Sequence, residues 1–443
     1  LPIPTPPPMR NHGNVVVSLA HVGRWLADRA EADGAMLLPE TPAVQLLVDQ
    51  GGVVGVRTGD KGRDKSGGEK GNFEPGSDVI AKATVLSEGV WGHLTGAAMK
   101  ALDLAPSDPQ VWALGVKEVW EIPKPFEKIV HTLGWPLHYG AKWKEFGGSF
   151  MYGMNREGEA PKVTIGFVSG LDTTDARFSV HDILQQFKLH PLVRKVLADG
   201  KRVAWGAKAI PEGGYWAMPR LHAPGMVIAG DAGGMVNVPT LKGIHYAMHS
   251  GMYAAEAIVE SLKQESVNFE NYERKVKDSI IEKDLWQSRN MRQPLSKGLI
   301  FGGIMGSAMV ATKGAFPGGH WKNEPDADVP VEIGNAAKRY PKPDNKYIFD
   351  KLNSVFLSGN ATRDDAPNHI RIQERVPKEI AQTWVSMCPA QVYEIPEEQL
   401  ENGAEVVDVH VTPSNCVQCG AITAKGGRLT LPEGGDGPLY QEV

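Results

Sequence analysis

Met226-Val227-Ile228-Ala229-Gly230-Asp231-Ala232-Gly233-Gly234 reads as a short apolar strand running into a glycine turn, and Gly243 to Leu262 beyond it as an amphipathic helix rich in small residues. An aspartate held at a strand end accepts hydrogen bonds from ribose or ribityl hydroxyls. A following helix N-terminus offers unpaired N–H groups and the positive end of a dipole to an anionic group. The glycines let the backbone approach a ligand closely. An ordinary strand–turn–helix connection uses the same residue types, but the Gly-Asp-Ala-Gly-Gly-(x)8-Gly spacing favours a cofactor site. Gly230, Asp231, Gly233, Gly234 and Gly243 are its candidate residues.

Toward the N-terminus, Asp78 to Leu86 reads as a second apolar strand, ending in Ser87-Glu88-Gly89-Val90-Trp91-Gly92. Ala43 to Val56 reads as two strands around Asp49-Gln50-Gly51-Gly52, a hairpin signal. Gly59 to Ser77, rich in Gly, Lys and Asp, reads as a solvated loop. Leu19 to Ala32 is helical in period, with Leu19, Val22, Trp25, Leu26 and Ala30 on one face. No Gly-x-Gly-x-x-Gly follows a first strand, although a dinucleotide fold normally opens with one. Leu1 leads straight into a Pro-rich stretch without Met or signal sequence. Both features point to the interior of a longer protein, with Gly230-Asp231 as the distal half of a divided site.

Between the two turns, residues from about Gln110 to Gly170 read as β-rich: Val111 to Val119, Lys128 to Leu133, Phe150 to Met154 and Val163 to Val168. Phe178 to Leu197 reads as helical, broken at His190-Pro191, and Asn271 to Gln293 as one charged helix. Leu299 to Phe316 is apolar all round until Lys313. It is short for a membrane span, which needs about twenty residues. It suits a buried helix or a monotopic insertion. Tyr340-Pro341-Lys342-Pro343-Asp344 reads as a linker.

The 443 residues are 42% apolar and carry a formal charge of −5, enough for a substantial core and without the basic block of a nucleic-acid binder. The only three cysteines are Cys388, Cys416 and Cys419. So few thiols make no disulfide framework, and Cys416-Val417-Gln418-Cys419 with a third Cys reads as a metal or iron–sulfur site. A cubane cluster normally takes four thiolates, and the C-x-x-C-x-x-C rhythm puts the fourth at Ile422. A [3Fe–4S] centre, a [4Fe–4S] centre with Asp408, His410 or Asp436 as fourth ligand, and an empty degenerate site all stay open. Zinc and a redox dithiol are the bland alternatives. His245 and His249 stand i, i+4 with no third ligand in view, which suits a structural or cofactor-lining role.

Several motifs in one order carry a resemblance: Met9-Arg10-Asn11-His12-Gly13-Asn14, Ser87-Glu88-Gly89, Gly134-Trp135-Pro136, Gly147-Gly148-Ser149-Phe150, Gly166-Phe167-Val168-Ser169-Gly170-Leu171-Asp172, Asn237-Val238-Pro239 with Lys242-Gly243, Cys388-Pro389-Ala390-Gln391-Val392-Tyr393-Glu394, Asn415-Cys416-Val417-Gln418-Cys419 and Pro432-Glu433-Gly434-Gly435. From Arg10 to Val443 the chain resembles the electron-transfer flavoprotein:ubiquinone oxidoreductases without their N-terminal βαβ segment. The resemblance implies a mixed α/β flavoprotein: an FAD domain, an inserted β-sheet quinone domain and a C-terminal ferredoxin-like iron–sulfur module. The expected divisions are residues 1–105, 106–222, 223–322 with a membrane-dipping helix at 299–316, and 340–443. It implies FAD at Glu88, Gly89, Gly230, Asp231, Gly233, Gly234, Asn237, Lys242 and Gly243, and a quinone against the backbone of Gly147 and Gly148. Cys388, Cys416 and Cys419 match three of four ligands of a [4Fe–4S] cluster. The implied partners are electron-transfer flavoprotein, ubiquinone or menaquinone, and the surface of a bacterial or mitochondrial inner membrane. A geranylgeranyl-reductase-like flavoprotein with a degenerate cluster module and a non-catalytic ferredoxin-like docking protein are the alternatives.

Overall fold

A computed structural model describes residues 5–10, 12–138, 142–334 and 340–443. The opening residues 1–4 and Asn11 of the first motif lie outside the described residues.

The largest sheet is five-stranded and antiparallel, in the order Lys201–Pro211, Trp112–Glu121, Lys162–Gly170, Gly147–Gly153, Ile129–Leu133. Four of these strands fall on the stretches read as β-rich, three by alternation and Ile129–Leu133 as a short apolar run. The fifth, Lys201–Pro211, carries mostly Ala, Gly and Lys beyond Trp205, so alternation does not mark it. Helices Val180–Phe187 and Pro191–Leu197 lie either side of the break at His190-Pro191, and the first packs on the sheet. The His190 ring accepts a hydrogen bond from Leu192 N and caps the second helix.

The inner face of this sheet (Val116, Trp120, Phe167, Trp205) and the C-terminal cysteine region (Trp384, Tyr393, Cys388) belong to one continuous buried core. A smaller parallel pair joins Thr84–Leu86 to Met226–Ile228, with His222–Ala223 added antiparallel. Helix Ile244–Leu262 follows and packs against Glu270–Lys277. Its Ile244, Met248, Met252 and Val259 remain exposed.

Several sequence readings are corrected. Asp78 to Leu86 is two strands: Asp78–Ile80 joins the Ala43–Asp49/Gly52–Thr58 hairpin, and Thr84–Leu86 joins Met226–Ile228. The stretch at 59–77 is not a free loop. Lys61–Arg63 and Glu69–Glu74 form a hairpin tied to the C-terminal region, where Gly62 N and Arg63 N donate to the Glu433 carboxylate at 2.5 and 2.9 Å. Its strands are held by charged and backbone partners, so no apolar alternation marks them. The charged helix at 271–293 divides into Glu270–Lys277, Ile280–Ser288 and Arg292–Leu295. Ser279 restarts it by accepting from Ile281 N at 3.1 Å. The helix at Leu19–Ala32 forms as expected, but none of its residues is buried.

Candidate functional site

The two glycine turns come together. Thr84–Leu86 and Met226–Ile228 run parallel, so Ser87-Glu88-Gly89 and Gly230-Asp231 leave the same carboxyl edge, the side where open α/β sheets bind ligands. Gly230 has φ +65°, and a Cβ there would press on Ala247 at 3.3 Å. Its N–H donates to Ser250 Oγ at 3.0 Å, which holds helix Ile244–Leu262 against the turn. Gly243 caps that helix without a side chain, and Asp231 Oδ1 stands 3.8 Å from where a Gly243 Cβ would be. Burial pushes the Asp231 carboxyl above its ordinary value. Gly233 and Gly234 complete a tight turn, with Gly234 left-handed. Asn237 and Lys242 exchange backbone hydrogen bonds at 2.7 and 3.1 Å, and Asn237 Oδ1 is buried without a partner. A helix start without a side-chain cap and a backbone free of Cβ fit an anionic part of a cofactor, and the orphaned amide oxygen fits a hydroxyl or N–H donor beside it.

Glu88 ties its turn to the helix that follows. Its carboxylate accepts from Leu94 N, Thr95 N and Thr95 Oγ1 at 3.1, 2.7 and 2.7 Å, capping helix His93–Ala101. Gly89, at φ +76°, offers backbone alone. The rings of His245 and His249 lie against Tyr246 and Tyr253.

Gly147 and Gly148 open the strand that pairs Gly148 with both Val168 and Leu133. A Cβ at Gly147 would overlap the Val168 carbonyl, and one at Gly148 the Thr132 carbonyl. Only glycine admits this spacing, where the strand start is flanked by backbone of both neighbouring strands. Next to it lies an apolar surface: Leu133 and Trp135 are exposed, and Leu299 approaches Gly134. Helix Leu299–Ala311 buries only Gly302 and Met309 and exposes Ile300 (82%) and Ile304 (64%). Its 13 residues reach about 20 Å, short of a bilayer core of about 30 Å. Among the described residues no helix is long and apolar enough to cross a membrane.

Under the same strand start lies a buried ionic group that the sequence reading missed. Ser169 Oγ and Gly170 N donate to the Phe146 carbonyl, and the Arg292 guanidinium lies over the Phe146 ring at 5.2 Å. Arg292 bonds Asp172 at 2.8 Å and Glu212 at 3.4 Å. Burial works against the Asp172 charge, yet Arg292 holds that carboxyl below its ordinary value. Burial pushes Glu212 up to about 7. Asp326 is pushed up to about 7 by burial and by Asp172. Lys425 donates to the Asp326 carbonyl at 2.8 Å, which links this group to the cysteine region. Asp172 fell inside a quoted motif; its partners are distant in sequence and gave no local signal.

The three thiols line one small, largely apolar cavity with Tyr393, Leu429 and Ile422. Val392 N donates to Cys388 Sγ and Gln418 N to Cys416 Sγ, both at 3.4 Å. Burial raises all three thiols, Cys419 to about 12. Among the described residues no three His, Cys, Asp or Glu side chains close on a single-ion site; the sulfurs ring a cavity instead. N–H donors aimed at sulfur and a dry enclosure fit a cluster ligated by these thiolates.

The cysteine loop docks on the rest of the site. Cys419 O accepts from Ala209 N at 2.8 Å, and Gln418 O from Lys208 Nζ at 3.0 Å. Gly420 has φ +87°, and a Cβ there would overlap the Trp91 indole, which stacks on Trp112 with centroids 3.6 Å apart. Trp91 follows Glu88-Gly89-Val90 directly, so that turn and the thiol loop are in direct contact.

The sequence matches the family described as ETF-QO, ubiquinone-binding, over residues 112–210, and that described as electron transfer flavoprotein-ubiquinone oxidoreductase, 4Fe-4S, over residues 345–441. Among similar relatives, the mitochondrial electron transfer flavoprotein-ubiquinone oxidoreductase of Caenorhabditis elegans is 35% identical over 471 residues, covering 100% of this chain and 77% of the relative. The human enzyme of the same name is 36% identical over 477 residues, covering 99% and 74%. Among solved structures, a geranylgeranyl bacteriochlorophyll reductase-like protein of Thermoplasma acidophilum aligns with TM-score 0.49 at 19% identity, over 66% of each chain. The five-stranded sheet and the cysteine module each fall within a matched segment, the relatives match the chain from end to end, and the chain belongs to the electron transfer flavoprotein-ubiquinone oxidoreductase family.

Proposed function

We propose that this protein takes electrons from reduced electron-transfer flavoprotein and reduces ubiquinone at a membrane surface. Family membership supports the reaction. The observation that supports the membrane reading is the exposed apolar helix Leu299–Ala311, whose Leu299 approaches Gly134 beside the exposed Leu133 that pairs with Gly148. When bound, FAD and an iron–sulfur cluster supply the redox chemistry, and the protein supplies binding and orientation. Gly230, Asp231, Gly233, Gly234, Asn237, Lys242 and Gly243 would hold FAD, with the Gly243 helix start facing its anionic part and Asp231 a sugar-type hydroxyl. Glu88 supports that site by fixing its neighbouring turn, and Gly89 contributes backbone. Cys388, Cys416 and Cys419 would hold the cluster. Gly147 and Gly148 would present backbone groups to a quinone, whose flat ring and two carbonyls offer little else to grip.

Ile300, Ile304, Leu133 and Trp135 would dip into the lipid around the quinone's point of entry. The relatives are named mitochondrial, and the reading extends to the mitochondrial inner membrane. The Ile300→Asp/Ile304→Asp double variant is expected to lose at least about 90% of vesicle binding, since each charge in the apolar layer costs roughly 2.5–3.5 kcal/mol. It should stop reducing long-chain ubiquinone held in phosphatidylcholine vesicles and still reduce a water-soluble short-chain analogue. Unchanged co-flotation with vesicles, or equal loss with both quinones, would overturn the membrane role.

A further inference from the structure

The cavity shared by the three thiols is otherwise lined mainly by aliphatic side chains, Ile422 among them. Ile422 occupies the position that would complete the spacing begun by Cys416 and Cys419. It is 4% exposed and lines the same cavity as all three cysteines. The oxygen and nitrogen ligands that sequence spacing suggested do not line it. Asp408 accepts from Gln399 Nε2 at 2.7 Å, and Asp436 from Arg363 Nε at 2.7 Å. His410 is exposed on the strand that pairs with Tyr393–Glu394. Tyr393 carries the only side-chain oxygen among the lining residues, and a phenol at neutral pH is a hydrogen-bond donor more than an anionic ligand.

We propose that the cluster is fixed to the chain by three thiolates alone, Cys388, Cys416 and Cys419, and that the iron facing Ile422 is exchangeable. The proposal rests on the reading of this module as a cluster site. Three irons would each meet an anionic sulfur from the chain. The fourth would meet an aliphatic side chain in a dry pocket, where an uncompensated cation is costly. A one-electron oxidant such as ferricyanide would then act in two balanced steps. The four-iron core gives one electron to the oxidant, and one ferrous ion leaves. A three-iron, four-sulfide core remains on the three thiolates, and the departing ion carries away the remaining difference in charge.

The test uses the whole protein, prepared anaerobically, reconstituted with ferrous iron and sulfide, and then treated with ferricyanide. The wild type is expected to release about one iron in four and to gain an EPR signal in the oxidised sample, reversed by ferrous iron with dithionite. Ile422→Cys is expected to keep its iron and to show a signal only on reduction. A wild type that keeps all its iron and behaves as Ile422→Cys does would overturn the proposal. So would a wild type that binds no iron while Ile422→Cys binds it, since the fourth thiolate would then be required. Iron in neither protein would sink the cluster reading itself.

Discussion

Arg292→Leu is expected to lower the free energy of unfolding by about 3–5 kcal/mol near pH 8, because removing one partner of a buried ion pair strands the other's charge. Arg292, Asp172 and Glu212 are all shielded from solvent, and the guanidinium is the direct partner of both carboxyls. Asp172 Oδ1 and Arg292 Nη2 already lack other partners. The deficit should depend on pH with a definite sign. Without Arg292, burial raises the Asp172 carboxyl as it already raises Glu212 and Asp326, both to about 7. A carboxyl whose folded value lies above its unfolded value costs nothing below the unfolded value; the cost grows as pH rises from there and is complete above the folded value. The loss should therefore be greatest above about pH 7 and shrink toward pH 5. Urea denaturation at both ends of that window measures it. A loss under about 1 kcal/mol at pH 8, or an equal loss at both pH values, would contradict the assignment.

Gly420→Ala is expected to deprive the protein of most of its iron. Two costs add at this residue. Its φ of +87° is a region that side chains other than glycine enter at about 1–3 kcal/mol. The new methyl would also overlap the Trp91 indole, and overpacking costs roughly 1–3 kcal/mol. Trp91 cannot retreat easily, because Trp112 stacks behind it. The loop carrying Cys416 and Cys419 has to move instead, so iron occupancy should fall at least about ten-fold, the equivalent of 1.4 kcal/mol. Trp91→Ala in the same chain should restore part of it, since it removes the overlap and leaves only the backbone strain. Iron per protein in the wild type, both single variants and the double variant is the readout. Full occupancy in Gly420→Ala, or no recovery in the double variant, would refute the contact as a support of the site.

Much of this architecture was legible because local chemistry announced it. The Asp49-Gln50-Gly51-Gly52 hairpin forms with Gln50 and Gly51 both left-handed, as a two-residue turn with that sequence requires. The Gly230-Asp231 turn followed by a helix start is there, and so are the four strands between Trp112 and Gly170, three of them marked by alternation and one by a short apolar run. What stayed hidden lies between elements distant in the chain. The Glu88 carboxylate caps a helix through Leu94 and Thr95, a role that its place beside Gly89 does not announce. Arg292 carries no motif of its own; it matters because folding sets it against Asp172, 120 residues earlier. Trp91 was quoted only as part of a turn, and its packing on Gly420 joins two regions no local pattern connects. The strand at Lys201–Pro211 is small and charged in sequence because its neighbours supply the bulk: Ala207 and Ala209 are buried, and Cys419 O takes the Ala209 N–H.

The most direct test of the whole account is anaerobic mixing of the FAD- and iron-loaded protein with reduced electron-transfer flavoprotein and vesicle-held ubiquinone, following flavoprotein oxidation and ubiquinol formation together. Ubiquinol should appear in step with flavoprotein oxidation, and Gly148→Val, which drives a side chain into the Thr132 carbonyl at the proposed quinone site, should abolish ubiquinol formation. A fully loaded protein that leaves the reduced flavoprotein untouched, or oxidises it without forming ubiquinol, would contradict the account.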